Sequence, residues 1–390
     1  MASIGFIGTI VPIKKSEKFQ PYTEITNEKG NTKIYKFSAR CGADQHIVQF
    51  TSWTPADGHR DIKAKKRDKN NNLVNYDVKW ADRNKSSVLA TADELSKYIL
   101  DSNPSGRVAE LEHLVEAFND GSITDEKMDK FKVKSVEEAQ KLLTEAKEGR
   151  HECLAPVDYI EFLKNFVESN PEGKFYIQGD YELSQSKGNW YSSLKVRKIT
   201  RFIDKEDEDV TASNLNLKMY ITPESIDNEP DDRLVVTGYV PVYAGRKDDG
   251  SFKYDYAPVS VVIYKTEDNA KKIAKWVELI GYSADDDESV AKEIGLKCRI
   301  HNGSERVSLT YDMLTDEQKE LVDFEIMSIA DIEKEMNKDL YGEKKTDIEI
   351  LGLARGYSSG SQVSSLTVDE VLGNAEEPDE LSDDTEIEGL

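Results

Sequence analysis

Apolar positions alternate with polar ones over several long stretches, and each such stretch predicts a strand with one buried face. Residues 174–203 are the clearest case. Phe175, Ile177, Tyr181 and Leu183 share one parity, with Gly179 between them. After Ser186-Lys187-Gly188-Asn189, Trp190, Leu194 and Val196 share one face, and Tyr191, Lys195, Arg197 and Arg201 the other. The pattern predicts a hairpin with an apolar side and a basic, aromatic side. The arrangement recurs at residues 32–53, around Gly42-Ala43-Asp44, with a return strand ending at Trp53. It recurs again at residues 234–265. There Val236, Val240 and Val242 lie opposite Tyr239 and Tyr243, and Val259, Val261 and Ile263 lie opposite Tyr254, Tyr256 and Tyr264. Residues 3–13 form a first strand, in which Gly5 and Gly8 mark a bend. Residues 215–220 form a short strand, and residues 295–311 a hairpin about His301-Asn302-Gly303-Ser304.

Helical spacing takes over at residues 109–118, 125–131 and 136–146, all rich in acids, which predicts a small helical insertion over about 91–150. Residues 158–169 place Tyr159, Phe162, Leu163 and Phe166 on one side of a helix that Asn170-Pro171-Glu172-Gly173 stops. Residues 269–280 turn Ile273, Val277 and Ile280 inward, and a closing helix and strand are expected within 316–337. Strands, helix and strands therefore occur twice in the same order. The fold class expected is α+β, mainly β: two β-barrel domains resembling OB-folds, over 1–203 and 210–340, separated by the polar run 204–209. Residues 341–390 are expected to be a flexible linker and an acidic tail, Ser/Gly-rich from Gly356 onward.

At 390 residues, with 38% hydrophobic and 33% charged positions, the chain has the makings of ordinary soluble cores. No run approaches 18 apolar residues, so no membrane span is expected. The apolar N-terminus has no basic segment before it and is expected to be a strand, not a signal peptide. Cys41, Cys153 and Cys298 are odd in number and far apart, which favours a reducing, cytoplasmic setting. The net charge of −23 is unevenly distributed. Ten acids and no Lys or Arg follow Arg355, whereas residues 1–85 hold sixteen Lys/Arg against nine Asp/Glu. Residues 59–85 concentrate nine bases with Tyr76 and Trp80 interleaved, and are expected to be a basic loop.

Motifs for chemistry are few. There is no phosphate-binding glycine loop, no paired C-x-x-C and no H-E-x-x-H. Gly356-Tyr357-Ser358-Ser359-Gly360 matches G-x-S-x-G but lies in a Ser-rich stretch, away from the strand–helix elbow that such a nucleophile needs. Asp285-Asp286-Asp287-Glu288 lacks the alternation of a calcium loop. No enzyme activity, cofactor or metal is expected.

Barrel modules, aromatics among basic residues and an acidic C-terminus with an apolar tip together resemble the single-stranded DNA-binding proteins of phages and bacteria. The resemblance implies a non-sequence-specific coat on single-stranded DNA, with RNA as the alternative, in replication or recombination. Stacking would fall to Tyr35, Trp53, Tyr76, Trp80, Tyr191, Tyr239, Tyr243, Tyr254 and Tyr256. Phosphates would fall to Lys63, Lys65, Lys66, Arg67, Lys79, Lys195, Arg197, Arg201, Arg246 and Lys247. It also implies that the tail, through Asp383, Asp384, Glu386, Ile387, Glu388 and Leu390, recruits partner proteins. This tip departs from the familiar bacterial ending of Asp residues followed by Pro-Phe. Two other readings fit the same composition: a virion or assembly protein built of β-barrel modules, and an acidic nucleic-acid mimic, against which the basic front argues.

Overall fold

The computed structural model describes residues 2–17, 19–205, 208–247, 250–266, 269–303, 311, 314–324, 326–329, 331–332 and 345–373. The chain is α+β and mainly β. Its first part supplies β1 (Ala2–Pro12), β2 (Tyr22–Asn27), β3 (Gly30–Cys41), β4 (Asp44–Pro55), β5 (Ile62–Arg67), β6 (Leu73–Val78), α1 (Ser86–Thr91), β7 (Tyr98–Pro104), α2 (Arg107–Asp120), α3 (Asp125–Phe131), α4 (Val136–Glu148), β8 (Arg150–Cys153), α5 (Pro156–Glu168), β9 (Lys174–Ser186) and β10 (Asn189–Phe202). The second supplies β11 (Ala212–Ile221), β12 (Ile226–Asp227), β13 (Arg233–Arg246), β14 (Phe252–Tyr264), α6 (Ala270–Ile280), β15 (Val290–Ile300), α7 (Asp316–Asp323), β16 (Ile348–Leu353), β17 (Gln362–Thr367) and α8 (Val368–Leu372).

Strand pairings close on themselves twice. In the first circuit β1 pairs with β3, β3 with β4, β4 with β10, β10 with β9, and β9 with β1; only β4–β10 is parallel. In the second, β11 pairs with β13, β13 with β14, β14 with β16, β16 with β15, and β15 with β11; only β14–β16 is parallel. Both circuits thus run first, second, third, fifth, fourth and back to first. Each has a helix, α5 or α6, between its third and fourth strands. The first strands join the circuits: β1 and β11 pair antiparallel from Ser3↔Asn216 to Ile7↔Ala212. One apolar core runs through both, from Phe6, Phe37 and Ile177 to Leu217, Val261 and Leu296. At Gly8 the chain passes from one neighbour to the other, and a Cβ there would lie 1.9 Å from the Arg40 carbonyl oxygen. Only glycine permits that approach.

α5 covers the first circuit with Tyr159, Ile160, Leu163 and Val167, all fully buried, and the Tyr159 hydroxyl donates to the Ile99 carbonyl at 3.0 Å. Within the stretch of about 91–150 expected to be a helical insertion, α2, α3 and α4 hold a core of their own around Leu111, Leu114, Ala139 and Leu143, whereas β7 pairs with β10 in the main sheet.

Two expectations are corrected. The basic stretch 59–85 is not a loop throughout: β5 and β6 pair from Ile62↔Val78 to Arg67↔Leu73, with Ala64 and Val78 buried beneath them. Residues 356–373 are not a disordered linker. The Tyr357 hydroxyl donates to Glu293, β17 pairs with β15, and α8 begins with a reciprocal Thr367–Glu370 cap and buries Val371. Among the described residues, β16 returns along β15 about fifty positions later. The expected return at 304–310 lies outside the described residues, as does the acidic segment 374–390.

The circuits also meet at a buried ionic junction. The Asp44 carboxylate, 2% exposed, accepts from Arg299 at 3.1 Å and from the Asn302 backbone N–H at 2.9 Å. His301 lies 3.6 Å from the same carboxylate and 2.8 Å from Glu349. These two carboxylates hold the imidazole protonated and push its pKa up to about 9. Despite burial, the hydrogen bonds to Asp44 pull its carboxyl down to about 2.

Candidate nucleic-acid interface

Two hairpins leave the core. Along β13 and β14, inward side chains stay buried as far as Val240 and Ala257; beyond Val242 and Tyr256 almost every position is exposed. The projecting arm carries Tyr243, Phe252 and Tyr254, which are 58%, 55% and 45% exposed. Their ring centroids lie 5.8 to 6.4 Å apart, edge against face. The Arg246 guanidinium lies 5.0 Å over Phe252, and Lys247 and Lys253 flank it, exposed. A register shift between Tyr243 and Gly245 re-aims the strand at this point. Three large rings held in the open, with no core to fill, form a surface on which flat groups stack. Alternation gives no signal for Phe252, which falls in a polar turn sequence and is absent from the candidates read along the chain.

The second projecting hairpin is β9–β10, whose turn Lys187-Gly188 has both φ values positive, at 51° and 81°. Tyr191 there is 54% exposed. Its basic face, however, is neither continuous nor free. A bulge between Val196 and Lys198 reverses the alternation, so Arg201 takes the parity of buried Ile199. Arg201 lies 5.1 Å over the buried Phe175 ring and donates to the Glu172 carbonyl. Lys195 pairs with Glu182, and Arg197 sits 3.7 Å from Asp180 while donating to the Leu95 carbonyl at 3.1 Å.

Between the two hairpins lies a cleft of about 490 Å³, lined by Asp180, Glu182, Arg197 and Lys218 on its polar side and by Val240, Pro241 and Tyr243 on its apolar side. Burial raises the Asp180 carboxyl from its ordinary value, against the pull of Arg197. Arg197 connects this cleft, through Leu95, to the β5–β6 ribbon, where Ser96 accepts from the Lys65 backbone N–H at 2.6 Å and Asp93 from Arg67 at 3.0 Å. On the ribbon Lys63, Lys65, Lys69 and Lys79 are exposed and form no ion pair with any described residue.

The remaining candidates are dispersed. Tyr35 is 2% exposed inside the first circuit and has no face for a ligand. Trp80 is sandwiched between His59, at 3.6 Å, and the Arg83 guanidinium, at 3.9 Å. Tyr76 is half-buried under Lys66, which sits 5.1 Å from its ring. Tyr239 pairs across strands with Tyr220, which also meets Tyr256 edge-on at 5.8 Å. Trp53 is 55% exposed at the far end of β4. The tail candidates Asp383, Asp384, Glu386, Ile387, Glu388 and Leu390 lie outside the described residues. Asp286, from the acidic run, is occupied locally by Ser283 and by Lys292 at 2.6 Å. No helix among the described residues is long and apolar enough to cross a membrane. No protein-family model and no curated protein matches the chain.

Proposed function

We propose that the protein binds single-stranded nucleic acid, DNA in the first instance, without strong sequence preference, and that the β13–β14 arm grips the bases. The observation that carries this reading is the open aromatic cluster of Tyr243, Phe252 and Tyr254 beside Arg246. Every base has a π-face, and stacking on an aromatic side chain is worth roughly 1–3 kcal/mol per base. The strand order shared by both circuits supports the reading: five strands closed by one parallel pair, with a helix after the third, resemble the layout of an OB-type barrel. The arm is made from the second and third strands of its circuit, the strands such barrels use for oligonucleotides. Fold alone does not assign function; the arm's chemistry does.

Arg246, Lys247 and Lys253 are balanced in sequence by Asp248, Asp249 and Asp255, so stacking dominates at the arm. Phosphate contact falls to the ribbon lysines. Four such contacts correspond to a log–log salt slope of about −3 for a single strand. The acidic segment after Gly373 is proposed to recruit partner proteins, as the resemblance implies.

A titration with labelled oligo-dT at two salt concentrations, beside a duplex of equal length, tests the reading. Oligo-dT is expected to bind, more tightly than duplex and more weakly at the higher salt. No complex at low salt would overturn the proposal and favour an assembly role.

A further inference from the structure

The outer face of β9 and β11 continues past the cleft. Side chains alternate, so Glu182, Asp180, Gln178 and Tyr176 follow one another along β9, and Lys218, Asn216 and Asn214 along β11. The cleft takes the charged ends of both rows. Their other ends run into a depression of about 660 Å³ over the β1–β11 junction, which Lys297 and Gly5 also line. Its chemistry differs from the cleft's. Gln178, Asn214 and Asn216 are neutral amides, each offering donors and an acceptor together. The side chains of Gln178, Asn214 and Lys297 form no hydrogen bond or ion pair with any described residue, and Asn216 has only a long contact, 3.4 Å, to the Ser3 hydroxyl. Tyr176 lies across Gly5: a Cβ at that glycine would come 3.2 Å from the Tyr176 hydroxyl oxygen and 3.3 Å from its ring edge. The ring is thus seated against the sheet and still 37% exposed.

We propose that this depression is a second nucleotide subsite, in which Tyr176 stacks an unpaired base, the amides of Gln178, Asn214 and Asn216 meet its hydrogen-bonding edge, and Lys297 faces a phosphate. The ligand class follows from the combination. Paired donors and acceptors match base edges, an open ring matches a base face, and a single cation matches the backbone charge. Continuity with the cleft gives the same strand a route to both places. The proposal rests on the reading of the arm as a nucleic-acid interface. It adds what the arm lacks, since hydrogen-bonding groups at base edges discriminate between bases whereas stacking does not.

The test uses the full chain and oligo-dT carrying a photoreactive uracil. Crosslinking is expected on the β9 peptide that holds Tyr176. Tyr176→Ala is expected to weaken oligo-dT binding about tenfold, the equivalent of one stacking contact, and Tyr176→Phe to leave it near wild type. Should Tyr176→Ala lower the melting temperature, the double variant Gln178→Ala, Asn214→Ala decides instead. Those side chains form no hydrogen bond with a described residue, and a loss of about fivefold is expected. Wild-type affinity in the deciding variant overturns the subsite and leaves the arm's role standing. An arm variant that loses binding while the variants of the depression do not leads to the same conclusion. No binding of oligo-dT by the wild-type chain overturns both.

Discussion

The two circuits share a strand order and use the same connection in opposite ways. Between the second and third strands of the first circuit, the chain turns tightly through Gly42-Ala43 and at once buries Asp44 against Arg299, His301 and Asn302 of the second. In the second circuit the equivalent strands run on past the core and end in an arm of three exposed rings. One turn holds the halves together; the other is left free to hold something else. The difference originates in the residues. Asp44 is a carboxylate placed where two cations and a backbone N–H converge, which offsets the cost of burying it. Tyr243, Phe252 and Tyr254 occur where no second layer of described residues buries them, so their area stays available to a ligand.

The contrast breaks most easily at Asp44. Asp44→Ala removes the shared acceptor and leaves His301 and the Asn302 N–H facing a void, so a loss of about 3 kcal/mol is expected, read by denaturant melts. Tyr254→Ala on the arm is expected to leave the melt unchanged, within about 0.5 kcal/mol, because its ring is already in solvent. Phe252→Ala is expected to cost about 1–3 kcal/mol in oligo-dT affinity, measured by fluorescence anisotropy, again with an unchanged melt.

The junction also sets a pH dependence. His301 is raised above its ordinary value, so its contribution is complete below about pH 6.5 and is lost as pH rises through about 9. Asp44 is lowered, so its contribution is present above about pH 4 and lost as pH falls through about 2. The groups facing His301 are Asp44, Glu349, Arg299 and the Tyr264 ring. The melting temperature is therefore expected to fall between pH 7 and pH 10, and His301→Gln to flatten that fall. The smallest effect on affinity is expected at the β9–β10 hairpin. Lys195→Ala with Arg197→Ala is expected to change affinity by less than about 1 kcal/mol, since both cations already face carboxylates and exposed pairs contribute little.

Much of the framework was legible in the chain. Alternation placed β3–β4, β9–β10 and β13–β14, and the 3.6-residue spacing placed α2, α3, α4, α5 and α6, because each element buries one face and its neighbours in sequence are its neighbours in space. What escaped was non-local or local in the wrong way. β16 lies far from β15 in sequence, so no periodicity announced their pairing. The bulge at Val196 moved Arg201 to the core side, which alternation counted from Tyr191 does not foresee. β17 and α8 hold few apolar residues and owe their order to docking on β15, so composition pointed to disorder. Of the candidate site, Tyr243, Tyr254, Arg246 and Lys247 fall together on the arm. Tyr35 and Trp80, chosen by residue type, serve packing instead, because burial and stacking partners are set by the tertiary fold.

The contrast between the two turns is tested most directly by one pair of measurements on the variant with Tyr243, Phe252 and Tyr254 all changed to Ala: oligo-dT affinity and melting temperature. A loss of affinity of about a hundredfold or more is expected, on the order of two stacked bases, with a melting temperature equal to that of the wild-type chain. Undiminished affinity would contradict the arm's role, and so would a melt that fell along with affinity, since the arm would then be serving the fold.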